Sequence, residues 1–107
     1  MIVRRPGHSP KFSLLHVQEL VRAGEYHLTD SARRDAEALT FDEDDVVECI
    51  CALAEDDYSH TLAGEKRPGQ FQDVYRKRMH GFPLYIKLQV TDPNEAVIIS
   101  FKRDDSV

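Results

Sequence analysis

The spacing of apolar residues changes part-way along this chain, from helical to strand-like. Leu14, Val17, Leu20 and Val21 recur at i, i+3, i+6 and i+7, with Gln18, Glu19 and Arg22 elsewhere on the wheel. This predicts an amphipathic helix closed by Gly24, with Ser9-Pro10 as its cap and first position. Glu25 to Leu28 is short, an edge strand or a connector. Thr29, Asp30 and Ser31 offer three caps for a second helix whose narrow stripe is Ala32, Ala36 and Leu39. A third helix begins at Asp42, with Glu43, Asp44 and Asp45 in the first turn, where negative charge suits the helix dipole. Phe41 is placed to staple onto Val46, and Val46, Val47, Ile50, Leu53 and Ala54 line the apolar face.

After Asp57 the period falls to two. Tyr58 to Ala63 reads as a strand, and Gly64 to Gly69 as a loop. Leu84, Ile86, Leu88 and Val90 alternate with Tyr85, Lys87, Gln89 and Thr91, the pattern of a half-buried strand. Asp92-Pro93-Asn94 is turn chemistry, and Val97, Ile99 and Phe101 alternate with Ile98, Ser100 and Lys102. The expected class is α+β, with three N-terminal helices packed on one face of a C-terminal antiparallel sheet.

Register turns this pattern into a surface. A symmetric hairpin about His80-Gly81 sets Met79 opposite Phe82, Arg76 opposite Tyr85 and Val74 opposite Lys87. Phe71, Tyr75 and Met79 then join the apolar side, while Gln72, Arg76 and Arg78 join Tyr85, Lys87 and Gln89 on the polar side. The second turn pairs Ile86 with Phe101, Leu88 with Ile99 and Tyr85 with Lys102. Arg76, Tyr85 and Lys102 therefore form a row across three strands. Asp73 and Lys77 fall on the apolar side and are expected at its margins. Gln72 stands four residues from Arg76, about 13 Å along a strand at ~3.3 Å per residue.

Composition and charge refine this picture. The chain has 107 residues, of which 41% are hydrophobic and 31% charged, as expected for one domain spanning 1–107. No apolar run approaches a membrane span and the N-terminus lacks a signal peptide's apolar middle, which favours the cytoplasm; residues 1–8 read as a loose arm. Cys49 and Cys51 form a C-x-C within a helical pattern, a poor disulfide or zinc geometry, and read as reduced thiols. The net charge of −5 hides an asymmetry. Residues 1–57 carry 6 Lys+Arg against 13 Asp+Glu, whereas residues 58–103 carry 8 against 4. An acidic helical half beside a basic sheet half points to a local anion-binding surface.

Cations beside an aromatic hydroxyl and a carboxamide, with no carboxylate among them, suit a phosphodiester. No His/Asp/Glu cluster falls on the open face, which disfavours metal-dependent nuclease chemistry; no metal and no cofactor is expected. An ordinary solvated sheet surface has the same composition, and composition alone favours that plainer reading. His60, in D-Y-S-H-T-L, is by itself an ordinary strand or loop histidine.

The segment F-Q-D-V-Y-R-K-R, followed by L-Y-I-K and I-I-S-F-K, resembles the MqsR family of type II toxins, small ribonucleases with a RelE-like fold. The resemblance runs from H-V-Q-E-L-V-R-A-G through T-D-S-A and F-D-E-D-D-V to Lys102. It implies a metal-independent endoribonuclease that cleaves single-stranded mRNA at short GC-containing sequences and shuts down translation. It also implies a cognate antitoxin that holds the toxin inactive and alone contacts the operon's DNA. By motif, the family's catalytic Gln, Tyr and Lys fall on Gln72, Tyr85 and Lys102, with Arg76, Arg78 and Lys87 as RNA-binding cations beside them. Ungapped counting back from Gln72 puts His60 where the family has a further lysine, a departure that an imidazole of unperturbed pKa about 6.5 can fill as acid or base. The alternative is a non-catalytic RNA- or protein-binding module using the same face.

Overall fold

The computed structural model describes residues 9–63, 70–91 and 94–106. The expected arm at 1–8, the loop at 64–69 and residues 92–93 of the second turn lie outside the described residues. Among the described residues the order is α1 (Leu14–Arg22), β1 (Tyr26–Leu28), α2 (Asp30–Ala38), α3 (Glu43–Cys51), a 3-10 turn (Glu55–Asp57), β2 (Tyr58–Ala63), β3 (Phe71–Met79), β4 (Phe82–Thr91) and β5 (Glu95–Arg103).

The helix starts follow from their caps, with one correction. Thr29 caps α2 by accepting from the Ala32 N–H, and Asp42 caps α3 in a reciprocal capping box with Asp45. Helix α1, however, is capped by Ser13 rather than begun at Ser9-Pro10. The reason is tertiary. The Lys11 and Phe12 N–H groups donate to the Asp73 carboxylate at 2.9 and 2.8 Å, so this segment is tied to the sheet before the helix begins. Gln18, expected on the outer face of α1, is instead buried; its Nε2 donates to the carbonyls of Ile50, Cys51 and Leu53 at the end of α3. The Cys51 carbonyl, on the last residue of α3, is one that a helix end leaves without an i+4 donor.

The five strands run in the order β1-β5-β4-β3-β2. The sheet is mixed, not purely antiparallel as expected, because β1 from the helical half joins β5 in parallel at the edge. One core cluster unites Leu14, Val17, Leu20 and Val21 of α1, Ala32 and Ala36 of α2, and Val46, Cys49 and Ile50 of α3 with sheet residues Tyr75, Leu84, Ile86, Leu88, Ala96, Ile98 and Phe101. Strand alternation turns Val74, Arg76, Tyr85, Lys87 and Lys102 to the opposite face.

The β3–β4 hairpin has the expected register, with Met79 opposite Phe82, Arg76 opposite Tyr85 and Val74 opposite Lys87. His80 (φ 52°) and Gly81 (φ 83°) are both left-handed, as a two-residue type I′ turn requires. The β4–β5 register holds at Tyr85–Lys102 and Ile86–Phe101 but then slips by one, so that Leu88 faces Ile98 and not Ile99. Ile99 is the extra residue of a bulge. The Thr29 N–H donates to the Ile98 carbonyl and the Thr29 hydroxyl to the Ile99 carbonyl, fastening the bulge to the start of α2. Ala96 and Ile98 thereby enter the core, and Val97 lies opposite Gln89 on the other face.

Asp73 also departs from expectation. Instead of lying at the margin it is 1% exposed, and its carboxylate also accepts from the Thr61 hydroxyl at 2.6 Å. Lys77 does sit at the margin, where it pairs with Asp57 at 3.2 Å.

Candidate active site

The open face of the sheet is a lattice of rows set by strand pairing. The first row is Arg76, Tyr85 and Lys102, on β3, β4 and β5. The next row is His60, Val74, Lys87 and Ser100, on β2 to β5. Gln72 lies one row further, opposite Leu62. Directly opposed side chains share a face at about 4.5–5.5 Å between Cβ atoms, and diagonal neighbours in the next row, at about 7–8 Å, stay within reach of long and aromatic side chains.

The Tyr85 ring is the centre of this surface. Lys102 Nζ stands 5.3 Å from its centroid, Arg76 Cζ 5.8 Å and Lys87 Nζ 6.0 Å. All three fall within the range at which a ring's quadrupole attracts a cation. Partial burial, and then the charge of Lys102, hold the Lys87 ammonium below its ordinary pKa. Both causes disfavour the charged form, and an anion seated among these groups would relieve the repulsion.

His60 reaches this face through a second bulge. Tyr58 pairs with Tyr75, yet His60 pairs with Val74, so Ser59 is an extra residue in β2. Without it, alternation would set His60 opposite Asp73, on the core side. The bulge turns Tyr58 and His60 to opposite faces: Tyr58 stacks edge-on against Tyr75 at 5.8 Å, and His60 faces the cations. The Ser59 hydroxyl lies 2.9 Å from His60 Nδ1, which leaves Nε2 as the other ring nitrogen. Burial first, and then the charges of Arg76 and Lys87, lower the His60 pKa from its usual value.

The structure thus gathers Arg76, Tyr85, Lys87, Lys102 and His60. It does not bring Gln72 into the first row, because β3 and β4 pair without a bulge from Asp73 to Met79. Arg78 is on the same face, exposed, two residues beyond Arg76 and opposite Pro83. It lines a shallow depression of about 290 Å³ with Arg76, Pro83 and Asp104.

The expectation of a carboxylate-free surface fails at one point. Asp104, just past β5, is 4% exposed and its Oδ2 lies 3.6 Å from Arg76 Nε. Hydrogen bonds from Ser106 are the main cause that holds its carboxyl below the ordinary value, and the charges of Arg76 and Lys102 add to it. Among the described residues, no group of three or more His, Cys, Asp and Glu is placed to hold a metal, and no helix is long and apolar enough to cross a membrane.

The α+β fold thus presents an aromatic ring flanked by three cations, with an imidazole beside it, a surface whose charge suits an anion. Its kinship is specific. Residues 9–103 match the family described as "Motility quorum-sensing regulator, toxin of MqsA". The chain is also 33% identical to the mRNA interferase toxin MqsR of Escherichia coli (strain K12), over 94 residues that cover 88% of this chain and 94% of the relative. The chain belongs to the MqsR toxin family.

Proposed function

We propose that this protein is the toxin of a type II toxin–antitoxin pair, an endoribonuclease that cuts single-stranded mRNA at short GC-containing sequences and so arrests translation. The gathering of Arg76, Lys87 and Lys102 around Tyr85, with His60 on the same face, carries the reading. Its partners are the mRNA and an antitoxin protein that reaches the operon's DNA, and the family's description supports the second of these.

The reaction is attack of a ribose 2′-oxygen on the adjacent phosphorus. The 2′-O–P bond forms as the P–O5′ bond breaks, leaving a 2′,3′-cyclic phosphate and a 5′-hydroxyl. The nucleophile belongs to the substrate, so no metal-bound water is needed. His60 Nε2 takes the 2′-hydroxyl proton. Its lowered pKa favours this base role, since a neutral imidazole is the form present near pH 7. Tyr85 gives a proton to the departing 5′-oxygen, or stacks on a base. Lys102 and Arg76 neutralise the charge that develops on the phosphoryl oxygens, an effect worth about 10²–10³ in rate where one such donor is removed from an enzyme. Gln72, Arg78 and Lys87 hold the flanking nucleotides.

The test compares an RNA cut by the protein in EDTA with the same RNA bearing a single 2′-deoxy residue at the cut position. The natural RNA should yield a cyclic phosphate end, and the deoxy substrate should survive intact. Efficient cleavage of the deoxy substrate would overturn the mechanism.

A further inference from the structure

We propose that Asp104 is a positioning residue for Arg76: it fixes the guanidinium over Tyr85 through its Nε edge and leaves the outer nitrogens for the scissile phosphate. The inference rests on the place given to Arg76 in the preceding reading. It concerns a residue immediately beyond the 9–103 span shared with the family.

The geometry of the chain end supports it. After Arg103 the Asp104 N–H donates to the Pro83 carbonyl at 2.7 Å, which extends the β5–β4 ladder by one step. The side chain turns inward, and its Oδ1 accepts from the Ser106 N–H at 3.1 Å and the Ser106 hydroxyl at 2.6 Å. With one oxygen occupied in this way, the carboxylate is locked and its Oδ2 is presented to Arg76 Nε at 3.6 Å. The Arg76 side chain is 43% exposed, so neighbouring packing alone does not hold it. A guanidinium has five donors in a planar fork, and engaging the Nε edge leaves the remaining edge free for bidentate contact with a phosphate.

Asp104 has a second effect of opposite sign. Arg76, Lys87 and Lys102 stand around one ring, and a buried carboxylate at their margin cancels part of that charge. Long-range attraction for RNA is therefore weakened in return for an oriented guanidinium. Affinity and turnover should separate when the carboxylate's charge is removed, a signature that simple loosening of the fold would not produce.

Asp104→Asn in the full chain preserves size and the oxygen that accepts from Ser106. We expect kcat on cleavable RNA to fall about tenfold, as loss of orientation at a reacting phosphate does. Affinity for the uncleavable 2′-deoxy RNA should stay level or rise. In an Arg76→Ala background, the same substitution should change kcat less than twofold. Ser106→Ala, which keeps the charge but frees the carboxylate, should lower kcat about two- to threefold, again only when Arg76 is present. An Asp104→Asn loss of equal size with and without Arg76 overturns the proposal, as does a fall in affinity parallel to kcat. If Arg76→Ala cuts at the wild-type rate, the site reading fails first and this inference fails with it.

Discussion

Asp73 offers the sharpest test of how the sheet is assembled. Its carboxylate accepts from two backbone N–H groups at 2.9 and 2.8 Å and from the Thr61 hydroxyl at 2.6 Å, on a residue 1% exposed. Asp73→Ala removes the acceptor for all three. Hydrogen bonds to a charged group contribute roughly 1.5–3 kcal/mol each, so simple addition gives about 4.5–9 kcal/mol. That sum is a ceiling, because Lys11 is exposed and water can take over its N–H. What remains is unsatisfied neutral donors rather than an orphaned charge, at about 1–3 kcal/mol each, so the two less exposed ones, the Phe12 N–H and the Thr61 hydroxyl, give about 2–6 kcal/mol. A domain of this size has roughly 5–15 kcal/mol in total. The urea midpoint should therefore drop on the order of 2 M. Asp73→Asn keeps the shape and one acceptor but turns an amide toward a donor, so it should fall between alanine and wild type. Thr61 lies one residue from His60, so the loss of Asp73 should also slow cleavage under conditions where the variant is folded. An Asp73→Ala protein within about 1 kcal/mol of wild type in urea would refute this account of how β2 and the α1 lead-in are held.

Two further outcomes follow from the same geometry. If His60 is the base, kcat/KM rises with pH as the imidazole loses its proton. Burial, Arg76 and Lys87 all lower that pKa, so the acidic limb should have its midpoint below the unperturbed value of about 6.5. Arg76→Ala should move the midpoint upward whatever it does to the plateau, and His60→Ala should remove the limb; a limb centred above 6.5 in the wild type would contradict the assignment. Gln18→Ala leaves the Ile50, Cys51 and Leu53 carbonyls without their buried donor and should cost about 1–3 kcal/mol in thermal or urea unfolding, with an unchanged midpoint showing that the contact contributes nothing.

Much of the site was legible because it depends on local rules. Strict alternation around Leu84 to Val90 and the symmetric turn at His80-Gly81 are enough to place Arg76, Tyr85 and Lys102 in one row, and they stand there. A hairpin's register follows from its own turn, so nothing distant was needed. Caps behaved likewise at Thr29 and Asp42, whose partners are three residues away. At α1 the cap failed, because the Lys11 and Phe12 donors go to a carboxylate more than sixty residues on.

What only the tertiary structure decided lies at the breaks in those rules. A bulge leaves no mark in an alternating pattern, since it is created by what the extra residue's neighbours bond to across the fold. The Ile99 bulge is fastened by Thr29, seventy residues earlier, and it exchanges Ile99 for Ile98 in the core. The Ser59 bulge matters more for the candidate site, because it turns His60 from the core side to the cations. Asp73 and Asp104 carry the same lesson for charge. Asp73 reads as a carboxylate at the margin of the apolar side and Asp104 carries no signal in one dimension, yet each is buried because donors distant in sequence, or a turn folded back on itself, meet it there. The sequence by itself determined the row of cations around Tyr85, whereas long-range hydrogen bonding decided which histidine and which carboxylate stand beside it.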